Sequence, residues 1–536
     1  MNKNRKNRII KSLSVFLIGI VLCSCQDAVK NYPKTDLTAS HLIPKPLTIN
    51  ATNSSFVLTE NSSIQTSNIE EFKNVGFILA EKIKDKTGLN LAVNTSESTK
   101  KGVISINKVL DASFSNQEGY ELIISEDLII VNALTAEGAF RAVQTIRQLI
   151  PYTTFNSEEN EWIVATGTIL DEPNFEYRGA MLDVSRHFFD IKVIKKYIDA
   201  IAYYKMNYLH LHLSDDQGWR IEIKSWPKLT EIGGNTQVGG GKGGFYTQNE
   251  YTEIVDYAAK NYITIVPEID MPGHTHAAYT AYPQLNGTKN KKLSSESTTE
   301  ERIANLYTGT EVGFSTFDTR NEEVYSFIDD VIGEIVQLTP GPYIHMGGDE
   351  SLSTEHKDYE YFVERVEKII HKHNKILIGW DEVATTNIES SSVAQFWASE
   401  ENAQKASEKG MKVILSPAKK IYLDMKYDSI SKLGLNWAAF VPVDSAYNWT
   451  PETYVKGLSK DHILGIEAPL WSETISTIED IEYLAFPRLV GVSELGWSVQ
   501  QNRNWDNYKI RLANQTPYFN KMNIKYYPSK LIDWVQ

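Results

Sequence analysis

Cysteine is nearly absent from this chain: two residues in 536, both within the first 25. Beyond them no disulfide is possible, and stability must come from a core, which 42% hydrophobic residues over this length can supply. An excess of positive charge is also missing. Lys and Arg number 54 against 68 Asp and Glu, for a formal net charge of −14 at pH 7. Five of the positive residues (Lys3, Arg5, Lys6, Arg8 and Lys11) lie in the first 24 positions, which hold no acid, so the body is more acidic still. Such a body repels phosphate backbones, which argues against nucleic acid as a partner. After the N-terminus there is no long apolar run, so no further membrane span is expected.

What the N-terminus does have is a pattern. "MNKNRKNRIIKSLSVFLIGIVLCSC" joins a basic start to a short apolar run ending in small residues. This reads as a secretory signal over residues 1–24, too short for a comfortable span. Its end, "LCSC", resembles the bacterial lipobox, in which cleavage exposes a cysteine for lipid attachment, here Cys25. The resemblance implies an exported lipoprotein on the outer membrane, facing the periplasm or the cell surface, with the lipid as its only membrane contact. Residues 25–40 are polar and read as a tether.

From 41 to 172 short alternating runs mix with helical periodicity. "GYELIISEDLIIV" reads as a hairpin turning at Glu126–Asp127, and "AEGAFRAVQTIRQLI" as a helix. This is expected to be a small α+β domain. From 173 to 536 the pattern becomes strand then helix, repeated. Eight candidate strands are "RGAMLDV", "NYLHLHL", "YITIVPEI", "PYIHMG", "KILIGW", "VAQFW", "MKVILS" and "HILGIEA". "IKKYIDAIAYYKM" and "TQNEYTEIVDYAA" are helices among them, the second opened by a Thr247…Glu250 capping box. Eight near-continuous apolar strands in βα order predict an α/β fold, a (β/α)₈ TIM barrel, with its active site at the C-terminal strand ends.

The unusual residues fall at those ends. They are Asp183, Arg186 and His187 after the first strand, Asp215, Asp216 and Trp219 after the second, and Asp270 and His274 after the third. Asp349 and Glu350 follow the fourth, Trp380 the fifth, Trp397 the sixth, Tyr422 and Asp424 the seventh, and Trp471 and Glu473 the eighth. Alone, each acid reads as a helix N-cap and each tryptophan as core. Together, flat apolar walls beside carboxylates and a guanidinium suit a sugar, whose ring has apolar faces and polar edges. Gly347 and Gly348 let the backbone pass close to a ligand. A metal alternative comes from "HLHLSD" and "HTH": His210 and His212 share a strand face, with His274 and His276 nearby in the pattern.

The motifs "YRGAMLDVSRHF", "LHLHLSDDQGWR", "VPEIDMPGHTHAA", "HMGGDES", "GWDE" and "APLWSE", in this order over about residues 175–500, resemble the β-N-acetylhexosaminidases of glycoside hydrolase family 20. The 41–172 segment is similar to that family's small N-terminal domain. The resemblance implies an exo-acting, retaining, substrate-assisted hydrolase acting on N-acetylhexosamine-containing glycans or chitooligosaccharides, with no cofactor and no metal. Glu350 would be the general acid/base. Asp349 would hold the N–H of the substrate's 2-acetamido group, and Tyr422 would donate to its carbonyl oxygen. Trp380, Trp397 and Trp471 would wall in the acetamido methyl and the ring. Arg186, Asp424 and Glu473 would bind the hydroxyls of the terminal sugar, with Asp215 and His274 behind Glu350. A catalytically silent glycan-binding lipoprotein and a disaccharide-releasing relative are the alternatives.

Overall fold

The computed structural model describes residues 30–95, 101–114, 116–289 and 292–535. Cys25 and its surroundings lie outside them. The first element group is a seven-stranded mixed sheet. Its strands run in the order Thr48–Leu58, Trp162–Asp171, Tyr120–Ile124, Leu128–Ala133, Val103–Lys108, Ser63–Thr66 and Ala92–Asn94. The expected hairpin is its centre: Tyr120–Ile124 pairs antiparallel with Leu128–Ala133. Helices Glu70–Thr87 and Ala136–Leu149 pack on the sheet, the second capped by the Thr135 side chain accepting from Gly138 N. One expectation needs correcting. The later part of the segment read as a tether is packed: Leu37 is fully buried in the core. Tyr32 and Lys30 both reach Glu161, Ser55 donates to the Pro33 carbonyl oxygen, and Asp36 caps the short turn Leu37–Ala39.

The eight predicted strands all form and close a parallel barrel. We label them β1 (Tyr177–Asp183), β2 (Tyr208–His212), β3 (Thr264–Glu268), β4 (Tyr343–His345), β5 (Ile376–Trp380), β6 (Val393–Phe396), β7 (Lys412–Leu415) and β8 (Ile463–Ala468). Closure occurs where β8 pairs with β1 from Gly465↔Tyr177 to Ala468↔Ala180. A Cβ on Gly465 would lie 1.7 Å from the Tyr177 carbonyl oxygen, so that seam requires glycine. Helices Ile191–Tyr203, Gln248–Lys260, Glu322–Leu338, His356–Lys372 and Glu400–Glu408 follow β1, β2, β3, β4 and β6, and the capping box at Thr247–Glu250 is present. Only the short turn Asp381–Thr385 joins β5 to β6.

Alternate inward residues fill the barrel in layers. The lowest is apolar and aromatic: Tyr177, Val266, Tyr343, Ile378, Val393, Ile414 and Leu464, with Tyr177 stacked 4.1 Å from Tyr208. The next is polar, and holds His210, Glu268, His345, Gln395 and Glu467, all fully buried. The strands are apolar in sequence because their outward residues meet helices, while this layer carries charge.

The two domains meet through buried ion pairs. Glu118 accepts from Arg141 Nε at 2.7 Å and from the Arg178 guanidinium on β1, and Lys205 Nζ lies 2.8 Å from Asp171 Oδ2. Burial disfavours the Glu118 anion, but Arg178 and Arg141 outweigh it and hold its pKa near about 2. Removing Glu118 leaves the Arg178 guanidinium buried without an anion and leaves Arg141 with Glu137 alone, at 2.7 Å. Glu118→Ala is therefore expected to cost about 3–5 kcal/mol, read by denaturant unfolding. Because the folded pKa is depressed, the wild-type contribution is fully present above the ordinary 4.5 and is lost as pH falls towards about 2. A variant with wild-type stability at neutral pH would show that the pairs contribute nothing to docking.

Candidate active site

The C-terminal rim of the barrel is built on two backbone distortions. After β4 the chain turns through Gly347 (φ 68°) and Gly348 (φ 101°) to Glu350, itself at φ 45°. A Cβ on Gly347 would lie 1.8 Å from Asp270 Oδ1, and the same oxygen accepts from Gly348 N at 3.0 Å. His274, after β3, is also left-handed at φ 54°. Two non-glycine residues in this region store strain where the side chains converge, which is characteristic of functional sites.

They converge closely. His274 Nε2 lies 3.8 Å from Asp349 Oδ2 and 3.6 Å from Glu350 Oε2, while its Nδ1 faces Asp215 Oδ1 at 3.3 Å. Asp215 in turn meets His212 Nε2 at 2.7 Å and Arg186 Nη2 at 2.8 Å. Burial opposes a charged His274, but Asp215, Asp270 and Asp349 outweigh it, so its pKa stands well above the ordinary value. Burial also works against the Asp215 anion, yet Arg186 and His274 hold its pKa well below the carboxylate range. Glu350 is different. Partial burial and the neighbouring Asp349 charge raise its pKa, against the opposing pull of His274 and Arg186. Glu350 is thus biased towards its protonated form beside an imidazolium.

The aromatic residues form a separate cluster over this centre. Trp380, Tyr422 and Trp471 pack with Met181 and Met425, and Trp397 closes the side. Trp380 and Trp471 lie 5.6 Å apart, and Trp397 stacks on Tyr422 at 6.4 Å. Arg186 lies 4.8 Å over the Trp471 ring and also meets Asp183 at 3.5 Å. Buried acceptors remain around the box. Among the described residues, neither oxygen of Asp424, nor Glu473 Oε2, nor Asp349 Oδ1 has a hydrogen-bond donor. Burial and the mutual proximity of Asp424 and Glu473 raise the pKa of Asp424 well above normal. Such groups fit ligand hydroxyl and amide protons.

Some predicted residues lie elsewhere. Trp219 is core, donating to Ile221 O at 2.7 Å, and His187 braces the β8 loop through Ser472. Asp183 accepts from Ser185 N, Arg186 N and Ser472 N, so it shapes the turn that presents Arg186. The four histidines of the metal alternative do not share one centre, although His212 and His274 both meet Asp215. His210 and His212 turn both ring nitrogens to carboxylates inside the barrel, whereas His276 packs against Tyr279, Tyr307 and Phe314.

Three residues were missed. Glu268 accepts from Trp380 Nε1 at 2.9 Å and faces His212 Nδ1, tying the aromatic box to the acid–imidazole chain. Its signal was an acid two residues before Asp270 on an otherwise apolar strand. Glu382, inside the quoted "GWDE", accepts from Trp397 Nε1 at 3.1 Å. Trp437, 56% exposed, stands edge-on to Trp397 and Tyr422 at 5.9 and 6.0 Å, and so extends the box outward. It sits in an irregular loop, where no periodicity points to it.

A TIM barrel whose catalytic rim joins adjacent acids to an aromatic box defines a carbohydrate hydrolase. Residues 175–500 match the model for the catalytic domain of glycosyl hydrolase family 20, and residues 39–172 match that family's domain 2. The chain belongs to glycosyl hydrolase family 20 and is a glycoside hydrolase. It is 35% identical to a β-N-acetylhexosaminidase of Cellulomonas fimi over 92% of this chain and 97% of that protein. It is 34% identical to a β-hexosaminidase of Porphyromonas gingivalis over 95% of this chain and 67% of that one. A mutant Streptomyces plicatus β-hexosaminidase in complex with product (GlcNAc) superimposes with TM-score 0.86 at 42% identity, covering 92% of this chain and 98% of that one.

Glu268 yields a test. Glu268→Gln keeps the shape but removes the charge that faces His212, at a cost of roughly 1.5–3 kcal/mol for a charged hydrogen bond. An about 10- to 100-fold fall in kcat/KM on an aryl β-N-acetylglucosaminide is expected. A change within about twofold would remove Glu268 from the support of the site.

Proposed function

We propose that this family member removes terminal β-linked N-acetylglucosamine or N-acetylgalactosamine, with the substrate's own acetamido oxygen as nucleophile. The observation that carries this reading is the shared imidazole: Asp349 and Glu350 both lie within 4 Å of His274 Nε2. Two carboxylates that are neighbours in sequence and gathered on one ring are poorly placed to face each other across a glycosidic bond, as an enzymic nucleophile and its acid do. One can act at the leaving oxygen and the other at the neighbouring acetamido group.

In the first step the acetamido carbonyl oxygen bonds to the anomeric carbon as the glycosidic C–O bond breaks. Glu350 gives its proton to the departing oxygen. Positive charge grows on the acetamido nitrogen, whose N–H donates to Asp349, and the fixed anion stabilises it. The Tyr422 hydroxyl donates to the carbonyl oxygen. Trp380, Trp397 and Trp471 enclose the methyl group and ring, while Arg186, Asp424 and Glu473 bind hydroxyls. Glu350 then removes a proton from water, which attacks the anomeric carbon and restores the acetamide, with the configuration retained. Asp215 and His274 hold Glu350 in place and set its pKa.

Glu350→Gln should lose about 10²- to 10⁴-fold with a poor leaving group and far less with an acidic phenol, which needs little protonation. Asp349→Asn should slow both by about 10²- to 10³-fold. A matching β-glucoside should be nearly inert. Comparable β-glucoside hydrolysis, or a trapped sugar–carboxylate adduct, would overturn the mechanism. The pH profile gives a further check. Glu350 must be protonated to act as acid, so kcat/KM falls as pH rises through its pKa, which lies above 4.5. His274→Gln removes a neighbouring positive charge that lowers that pKa, so the alkaline limb should move to higher pH.

We also propose that the chain is exported and held on the outer membrane by lipid on Cys25. The lipobox-like "LCSC" supports this. Among the described residues no helix is long and apolar enough to cross a membrane. Cys25→Ala should move the protein to the soluble fraction. Retention in membranes after a salt wash would rule lipidation out as the anchor.

A further inference from the structure

At the barrel end opposite the catalytic rim, a cavity of about 190 Å³ opens between the two domains. Helices Glu70–Thr87 and Ala136–Leu149 form one wall, and helix Ile191–Tyr203 with the C-terminal helix Thr516–Lys521 forms the other. In a chain of net charge −14 this cavity is cationic: Lys82, Lys86, Arg147 and Lys521 line it against Asp85 and Asp199. Lys82 is offset by Glu81 at 3.1 Å, and Asp199 accepts from Tyr257 OH at 2.8 Å.

Lys86 and Arg147 have no such partner. Lys86 Nζ donates to the Arg147 carbonyl oxygen at 2.6 Å and sits 3.8 Å over the Tyr152 ring. The Arg147 guanidinium donates to Gln144 Oε1 at 2.5 Å and lies 4.8 Å over the Tyr203 ring. Neither forms an ion pair with a carboxylate among the described residues. Burial, and then the like charge of Arg147, push the Lys86 pKa down to about 7, which reflects a cation held without its anion. The barrel side adds a further cation: Lys521 lines the same cavity, is exposed, and forms no ion pair with a carboxylate among the described residues. Tyr518 also lines it, with its ring stacked 3.7 Å from Tyr203. Two half-buried cations without a carboxylate partner, faced by a third on the opposite wall of one small cavity, match a tetrahedral oxyanion.

We propose that this interdomain cavity binds a phosphate or sulfate group, free or carried on a small molecule, with Lys86 and Arg147 as its counter-cations on one wall and Lys521 on the other. Bound there, the anion bridges the N-terminal domain to the barrel and stabilises their docking without touching the catalytic rim.

Thermal unfolding of the mature protein at constant ionic strength tests this, with inorganic phosphate and sulfate titrated against chloride. A saturable rise in Tm of about 1–2 °C at tenfold excess over Kd is expected. Lys86→Met combined with Arg147→Gln should abolish it. Lys521→Gln, an exposed change with little risk to folding, should weaken the midpoint at least about threefold. Hydrolysis of an aryl β-N-acetylglucosaminide should be unchanged in all three proteins. Glucose 6-phosphate, which lacks an acetamido group, separates the sources: saturation below inorganic phosphate marks a sugar carrier, and saturation at or above it marks the free ion. No rise, or a linear rise shared by wild type and variants as general salts produce, would overturn the proposal.

Discussion

The site depends on one buried anion, Glu268, inside the barrel. Its carboxylate accepts from Trp380 Nε1, faces His212 Nδ1 and lies 3.0 Å from His210 Nε2. Burial opposes its charge, but His212, His345 and His210 outweigh it, so its pKa is held well below the carboxylate range. A charge so far from water persists only when its surroundings are fully committed to it. That commitment fixes two arms. One runs through Trp380 to the aromatic box. The other runs through His212 and Asp215 to His274, and so to Asp349 and Glu350.

This network accounts for the contrast in charge states on the rim. Asp215 stays ionised between Arg186 and two imidazoles, whereas Glu350 sits partly open beside a like charge and is pushed towards protonation. The backbone reinforces the contrast. Left-handed conformations at His274 and Glu350 point both side chains at one spot, and Gly347 passes so close to Asp270 that no side chain would fit there. The strain sits at the C-terminal ends of two strands of a closed barrel.

Much of this was legible in the chain. All eight strands and the hairpin at Glu126–Asp127 followed from apolar runs and turn residues, because these patterns are local. Arg186, Asp215, His274, Asp349, Glu350, Trp380, Trp397, Tyr422, Asp424, Trp471 and Glu473 could be named because a barrel gathers its strand ends on one face, and the structure does bring them to one rim. The same logic overreached at Trp219, which also follows a strand but turns into the core. It missed Trp437, which reaches the site from an irregular loop, and Glu268, whose strand reads as apolar.

The sequence alone determined the order of strands and helices, the acidic body without disulfides beyond Cys25, and the adjacency of Asp349 and Glu350, since each is a property of neighbouring residues. Tertiary structure decided which side of a strand end each residue takes, and which charges share a partner. Asp349 and Glu350 are neighbours in any conformation. That both meet His274, 75 and 76 positions earlier in the chain, depends on barrel closure and on the two left-handed turns, and it is this contact that separates a substrate-assisted pair from a solvated turn.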